Sequence, residues 1–189
     1  MRPSLRPAAV ALVLVAALSA SGCAPPTSGK PPAPVPSPTA LFASDEEALA
    51  AAEEAYRAYQ HVSDAIYIDG GADPERLLEV ATQPKYEYEK SGYDKIRALG
   101  YHSTGGSTFD SATLLDSGQV EGVNTVAVLL CEDITGVDIR DANEISIVSS
   151  TRPDRIPLVV SFTGASSMSS LLLVDATDRW EGADPCQSE

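Results

Sequence analysis

Three cysteines hold the plainest reactive chemistry in this sequence. Cys23 directly follows four small residues, Ser19, Ala20, Ser21 and Gly22. An extended chain of that kind fits a peptidase, and the thiol behind it is a group that can be acylated. Cys131 ends an apolar run and Cys186 lies beside the C-terminus. A metal or catalytic thiol is the alternative for this pair, but no histidine stands near either in sequence, and two cysteines alone make a poor zinc site. In an oxidising compartment an even pair reads as a disulfide. It would close a loop of about 55 residues and contribute ~4 kcal/mol by constraining the unfolded chain.

Other chemical signals are weaker. Gly105-Gly106 does not lie between a strand and a helix, so it is no phosphate loop. Asp133, Asp138, Asp141, Asn143 and Glu144 crowd one loop stretch. Their spacing lacks the glycine and closing glutamate of a calcium hand, and solvated loop acids explain them better. No triad, metal-ligand spacing or cofactor motif is present, so neither a metal nor a cofactor is implied.

The residues ahead of Cys23 read in three parts. Arg2 and Arg6 give a positive start, Ala8 to Leu18 is apolar and uncharged, and the small residues follow. This is a secretion signal over residues 1–22, too short for a comfortable transmembrane helix. Ala20-Ser21-Gly22-Cys23 resembles the bacterial lipobox, with alanine where leucine is usual. That resemblance implies that Cys23 carries lipid and holds the protein at the outer face of the cytoplasmic membrane. Residues 23–40 then form a linker, with prolines at 25, 26, 31, 32, 34, 36 and 38. Such a segment cannot bury a core and favours extended conformations. At about 3.1 Å per residue it reaches up to ~50 Å from its anchor.

Residues 41–189 remain as one domain, long enough for a core of its own. The chain has 13 basic and 27 acidic side chains, and two of the basic ones leave with the signal. An acidic body repels phosphate backbones and anionic headgroups. Nucleic acid is thereby excluded as a partner, and membrane attachment must come from lipid.

The pattern of residues predicts helices first and strands second. Ser44 with Glu47 forms a capping box ahead of a helix over about 45–67, whose inner face carries Leu49, Ala52, Tyr56, Tyr59, Val62 and Ile66. Asp73 caps a short helix opened by Pro74, and Pro84 opens a third segment ending at Gly100, with a break at Ser91-Gly92. Strands are expected at 108–115, 123–131, 156–162 and 168–176, with short ones at 136–141 and 145–148. The last long pair reads as a hairpin. This is an α+β plan in which the helices pack on a curved antiparallel sheet.

The order of elements resembles the cone-shaped fold of the nuclear-transport-factor-two-like superfamily, and small actinobacterial lipoproteins of that shape in particular. The likeness rests on the capped first helix, Cys131-Glu132-Asp133 after an apolar strand, Arg152-Pro153-Asp154-Arg155-Ile156-Pro157 before another, and Asp178-Arg179-Trp180 with Asp184-Pro185-Cys186 at the end. It covers about residues 42–186. The superfamily includes ketosteroid isomerase and SnoaL-like cyclases, which keep acids and tyrosines inside the cone, where a shielded carboxyl moves protons. The resemblance therefore directs attention to a pocket of Tyr56, Tyr59, Asp64 and His102. Each has a plainer reading: core packing with the hydroxyl at the rim for the tyrosines, a solvated helix position for Asp64, and a loop histidine for His102. His61 reads as a surface histidine, and Trp180 as packing over the sheet end near the disulfide.

Two functions follow. The first is a non-enzymatic, membrane-tethered module that binds a protein or a small apolar ligand. The second is a small-molecule lyase or isomerase with an acid inside the cone. An enzyme needs a buried ionisable group in a cavity with an entrance; a module needs a filled cone and a bare apolar patch.

Overall fold

The computed structural model describes residues 42–166 and 171–187. The expected secretion signal, Cys23 and the proline-rich linker lie outside the described residues, as do residues 167–170, the end of the turn and the start of the strand expected in the last hairpin.

Helix α1 spans Asp45–Ile68. Ser44 caps it, its hydroxyl accepting from the Glu47 N–H at 3.3 Å. The Glu47 carboxylate returns to the N–H of Ala43 at 2.7 Å, one residue earlier than the sequence pattern predicts. Ala48, Ala52, Tyr56, Tyr59 and Ile66 are its buried hydrophobic residues. The short helix after it, Pro74–Glu79, is 3₁₀ rather than α. Asp73 ahead of it adopts a left-handed conformation (φ 48°) and makes no side-chain cap bond, so the expected Asp73 cap is absent. Helix α2 spans Gln83–Leu99 without a break and ends on left-handed Gly100. A Cβ on Gly92, at its centre, would stand 3.1 Å from the Tyr67 hydroxyl, a tight contact with the tip of that side chain.

Six strands follow: β1 His102–Thr104, β2 Thr108–Val120, β3 Val123–Asp133, β4 Asp138–Arg140, β5 Arg155–Gly164 and β6 Leu172–Arg179. The four long ones make one antiparallel sheet in the order β2-β3-β5-β6. The two short ones pair with each other as a separate ladder, His102 opposite Arg140. The sequence predicts β4 but not this partner for it. The stretch expected as a strand at 145–148 contributes a single bridge, Ser146 to Arg140.

β2 and β3 are longer than predicted because their turn is only Glu121-Gly122, both at positive φ (51° and 81°). Two consecutive left-handed residues give the tight hairpin whose twist matches that of its strands. β2 is bulged between Asp110 and Thr113 and again between Leu114 and Asp116, and bulges bend and twist a strand. On β3 the even-numbered residues Asn124, Val126, Val128 and Leu130 are buried. The three apolar ones meet Val160 and Phe162 of β5, Val174 of β6 and the buried face of α1 in one core.

Beyond this core the sheet is held at one end by covalent and ionic ties. Cys131 and Cys186 form the disulfide the sequence predicts. Arg155 donates to Asp133 at 2.9 Å and to both oxygens of Asp110 at 2.8 Å, so β2, β3 and β5 share one guanidinium. Its Nε donates to the Cys186 carbonyl at 3.3 Å. Trp180 is half-buried near this end, with Gly182 against its indole ring and its Nε1 donating to the Ala183 carbonyl at 2.9 Å.

Candidate functional site

Alternation on β3 carries past the core. After Leu130 the next even position is Glu132, so the strand puts a carboxyl on the face that meets the helices. There it opens into a cavity of about 530 Å³ between α1, α2, the sheet and the β3–β4 segment. The walls are apolar over much of their area: Ile96 and Leu99 from α2, Ile134, Val137 and Ile139 from the β3–β4 stretch, Ile147, and Leu158 from β5. A polar end is built by Glu132, Glu89, Asp64 and Gln60, with tyrosines 56, 59, 67 and 101 around them.

Tyr56 and Tyr59 lie almost one turn apart on α1, their rings stacked with centroids 5.8 Å apart. Each hydroxyl ends on a different acid: Tyr56 donates to Glu132 Oε1 at 3.1 Å, and Tyr59 to Glu89 Oε1 at 3.2 Å. Glu132 Oε1 also accepts from the Gln60 amide at 3.4 Å. Burial raises the Glu132 pKa above the usual carboxylate value, against the two hydrogen bonds that lower it. Burial, together with the neighbouring acid, raises the Tyr56 phenol well above its ordinary value. Tyr67 is pushed up to about 12, also by burial.

Glu89 is the partner of Lys85, whose ammonium lies 2.6 Å from Oε1 and 2.6 Å from the Thr177 hydroxyl. The Lys85 side chain is 2% exposed. Its charge sits 5.5 Å from the centroid of the Tyr59 ring, within cation–π range. Asp64 is occupied differently. The backbone N–H of Ser107 donates to it at 2.8 Å and the Ser107 hydroxyl reaches both of its oxygens. Burial raises its pKa, and these bonds oppose the rise.

Of the residues singled out in the sequence, Tyr56, Tyr59 and Asp64 line the cavity together. His102 does not line it. Ser103 on the same short strand does, and strand alternation turns its neighbour the other way, to within 3.5 Å of Glu144. His61 is exposed and borders a second recess of about 540 Å³, which shares Gln60, Asp64 and Ser107 with the first. The loop acids are engaged locally: Asp141 accepts from the N–H groups of Asn143 and Ile145, and Asp138 from the Ser146 hydroxyl. Among the described residues no cluster of three or more His, Cys, Asp or Glu is placed to hold a metal. Nor is any helix among them long and apolar enough to cross a membrane.

Sequence reasoning passed over Glu132 and Glu89. Glu132 shares the parity of Val126, Val128 and Leu130, but Ala127, Leu129 and Cys131 make the other face apolar as well, so parity alone does not say which face meets the helices. The signal for Glu89 was its i,i+4 spacing from Lys85, which pairs on a helix face but is common on solvated faces too.

No protein-family model matches the chain, and no curated protein does. Among solved structures it is similar to the intermembrane space region of the chloroplast protein ARC6, at 12% identity and a TM-score of 0.49, over 69% of this chain and 95% of that one.

Proposed function

We propose that the chain is an extracytoplasmic lipoprotein, anchored through acylated Cys23 at the outer face of the cytoplasmic membrane, whose domain binds a small, largely apolar molecule. Apolar walls around a few convergent polar groups are the ordinary composition of a small-molecule site. The single observation that carries this reading is the 530 Å³ cavity, with Tyr56, Tyr59 and Glu132 at its polar end. The α+β layout agrees with a nuclear-transport-factor-two-like cone. The proline-rich linker gives such a domain reach from the membrane. A protein partner at the cavity mouth, where Leu99 and Ile147 are exposed, is compatible with the same reading.

Two measurements test it. Native mass spectrometry of the full chain is expected to show a retained small molecule that a cavity-filling Val137→Trp variant loses; a chain that carries and accepts nothing removes the binding role. Cys23→Ala is expected to leave the protein unlipidated and either released or stalled as precursor. Normal processing with unchanged membrane retention removes the anchor.

The lyase or isomerase reading draws on one specific observation. Glu132 is shielded from water and hydrogen-bonded by Tyr56 inside a cavity with an entrance, and such a carboxyl suits proton transfer. Were the retained molecule converted, Glu132→Gln would abolish turnover.

A further inference from the structure

The hydrogen bonds at the polar end of the cavity are unevenly spent, and the imbalance names the charge of the ligand. Both bonds that Glu132 accepts fall on Oε1, from Tyr56 and Gln60. Both that Glu89 accepts also fall on Oε1, from Lys85 and Tyr59. The Oε2 atoms of these acids receive no protein donor among the described residues. The donors that reach these acids, Tyr56, Gln60, Lys85 and Tyr59, are committed to the Oε1 atoms, while each acid, one from β3 and one from α2, brings a second oxygen to the lining of the same cavity.

Neither Oε2 atom is sealed from solvent, since Asn124 Nδ2 is the buried side-chain polar atom without a partner among the described residues, so a ligand entering the cavity can reach both. Asp64, the third acid of the lining, is satisfied on both oxygens by Ser107 and competes little. The basic side chain in the lining, Lys95, is exposed on α2, toward the rim. Lys85 is held against Glu89, Thr177 and the Tyr59 ring. An anion entering this end would meet acids whose donors are spent. A cation would supply what Glu132 and Glu89 lack, and its apolar body would lie against Ile96, Ile134 and Ile139.

We infer that the ligand is an organic cation, a protonated amine with an apolar body, whose ammonium is held between Glu132 and Glu89. This rests on the small-molecule reading of the same cavity. Charge-assisted hydrogen bonds are about twice as strong as neutral ones, so head-group charge should dominate selection among ligands of one shape.

Three probes share a phenylethyl-type body and differ in charge: phenethylammonium, 2-phenylethanol and 3-phenylpropionate. Titration calorimetry of the full chain at pH 7 is expected to show the ammonium binding at least about tenfold tighter than the alcohol, with the carboxylate weakest. Glu132→Gln, which keeps the Tyr56 bond through its amide oxygen, is expected to bring ammonium and alcohol to within about threefold while leaving the alcohol unchanged. Equal binding of all three, a preference for the carboxylate, or an ammonium constant unmoved by Glu132→Gln overturns the charge assignment and leaves a binding pocket standing. Failure of all three to bind overturns the pocket as well.

Discussion

Tyr56 donates its hydroxyl to Glu132 across 3.1 Å, joining α1 to β3 at the polar end of the cavity. The acid lies 76 residues beyond the phenol in sequence, so the bond forms only once the sheet has docked on the helix. Burial raises the Glu132 pKa above its ordinary 4.5. The folded state thus holds this proton more tightly than the unfolded state. The stabilisation is fully present below pH 4.5 and is lost as pH rises through the folded value. Glu132→Gln should therefore flatten the decline in stability above pH 4.5, and the variant should gain on the parent as pH rises from there. Urea unfolding at a series of pH values checks this; parallel curves for the two proteins would remove the buried acid.

Lys85 and Glu89 form a pair whose side chains are 2% and 19% exposed. Truncating one member of such a pair strands the other charge. Lys85→Met should cost about 3–5 kcal/mol, and adding Glu89→Gln should recover most of it. Denaturant midpoints of the two variants supply the comparison. A double variant no better than the single would show that the lysine stem, not its charge, matters at this site.

The disulfide joins positions 55 residues apart. Its removal by a Cys131→Ala, Cys186→Ala double substitution should lower stability by ~4 kcal/mol on the chain-entropy estimate. Differential scanning calorimetry of the double variant measures it, and an unchanged transition would mean that the unfolded chain is compact without the bond.

Two glycines separate conformational strain from collision. Gly122 has φ +81° and open space around a built Cβ, whereas Gly105 has φ +77° with the Gly136 carbonyl oxygen 1.9 Å from that position. Gly122→Ala should cost about 1 kcal/mol from the left-handed conformation alone. Gly105→Ala should cost more, because backbone must move, and it should disturb the loop that brings Ser107 to Asp64. Chemical shifts of the Ser107 amide and thermal midpoints test the pair together; equal costs would show that the Gly105 turn yields without strain.

The helices and the main sheet were legible in the sequence because their signals are local. Ser44 and Glu47 mark a helix start, and the recurrence of Ala52, Tyr56, Tyr59 and Ile66 marks its inner face. A continuous apolar run marks β3, and clean alternation marks β5. The β1–β4 ladder was not legible, since three-residue strands at 102–104 and 138–140 carry too few alternations to register and pair across 34 to 38 residues. Asp73 looked like a cap by residue type, but its backbone turns left-handed. The candidate site was half legible. Tyr56, Tyr59 and Asp64 share a helix, and it was the resemblance to a cone-shaped fold, with its inward acids and tyrosines, that grouped them. Glu89 and Glu132 reach the same wall from other elements, and only tertiary packing brings them there, just as strand parity sends His102 away.

Cys131 and Glu132 are neighbours in the chain on opposite faces of one strand, the first bonded to the tail through Cys186 and the second facing the cavity. The covalent tie of the tail therefore ends one residue short of the acid at the polar end, on the far side of the same strand.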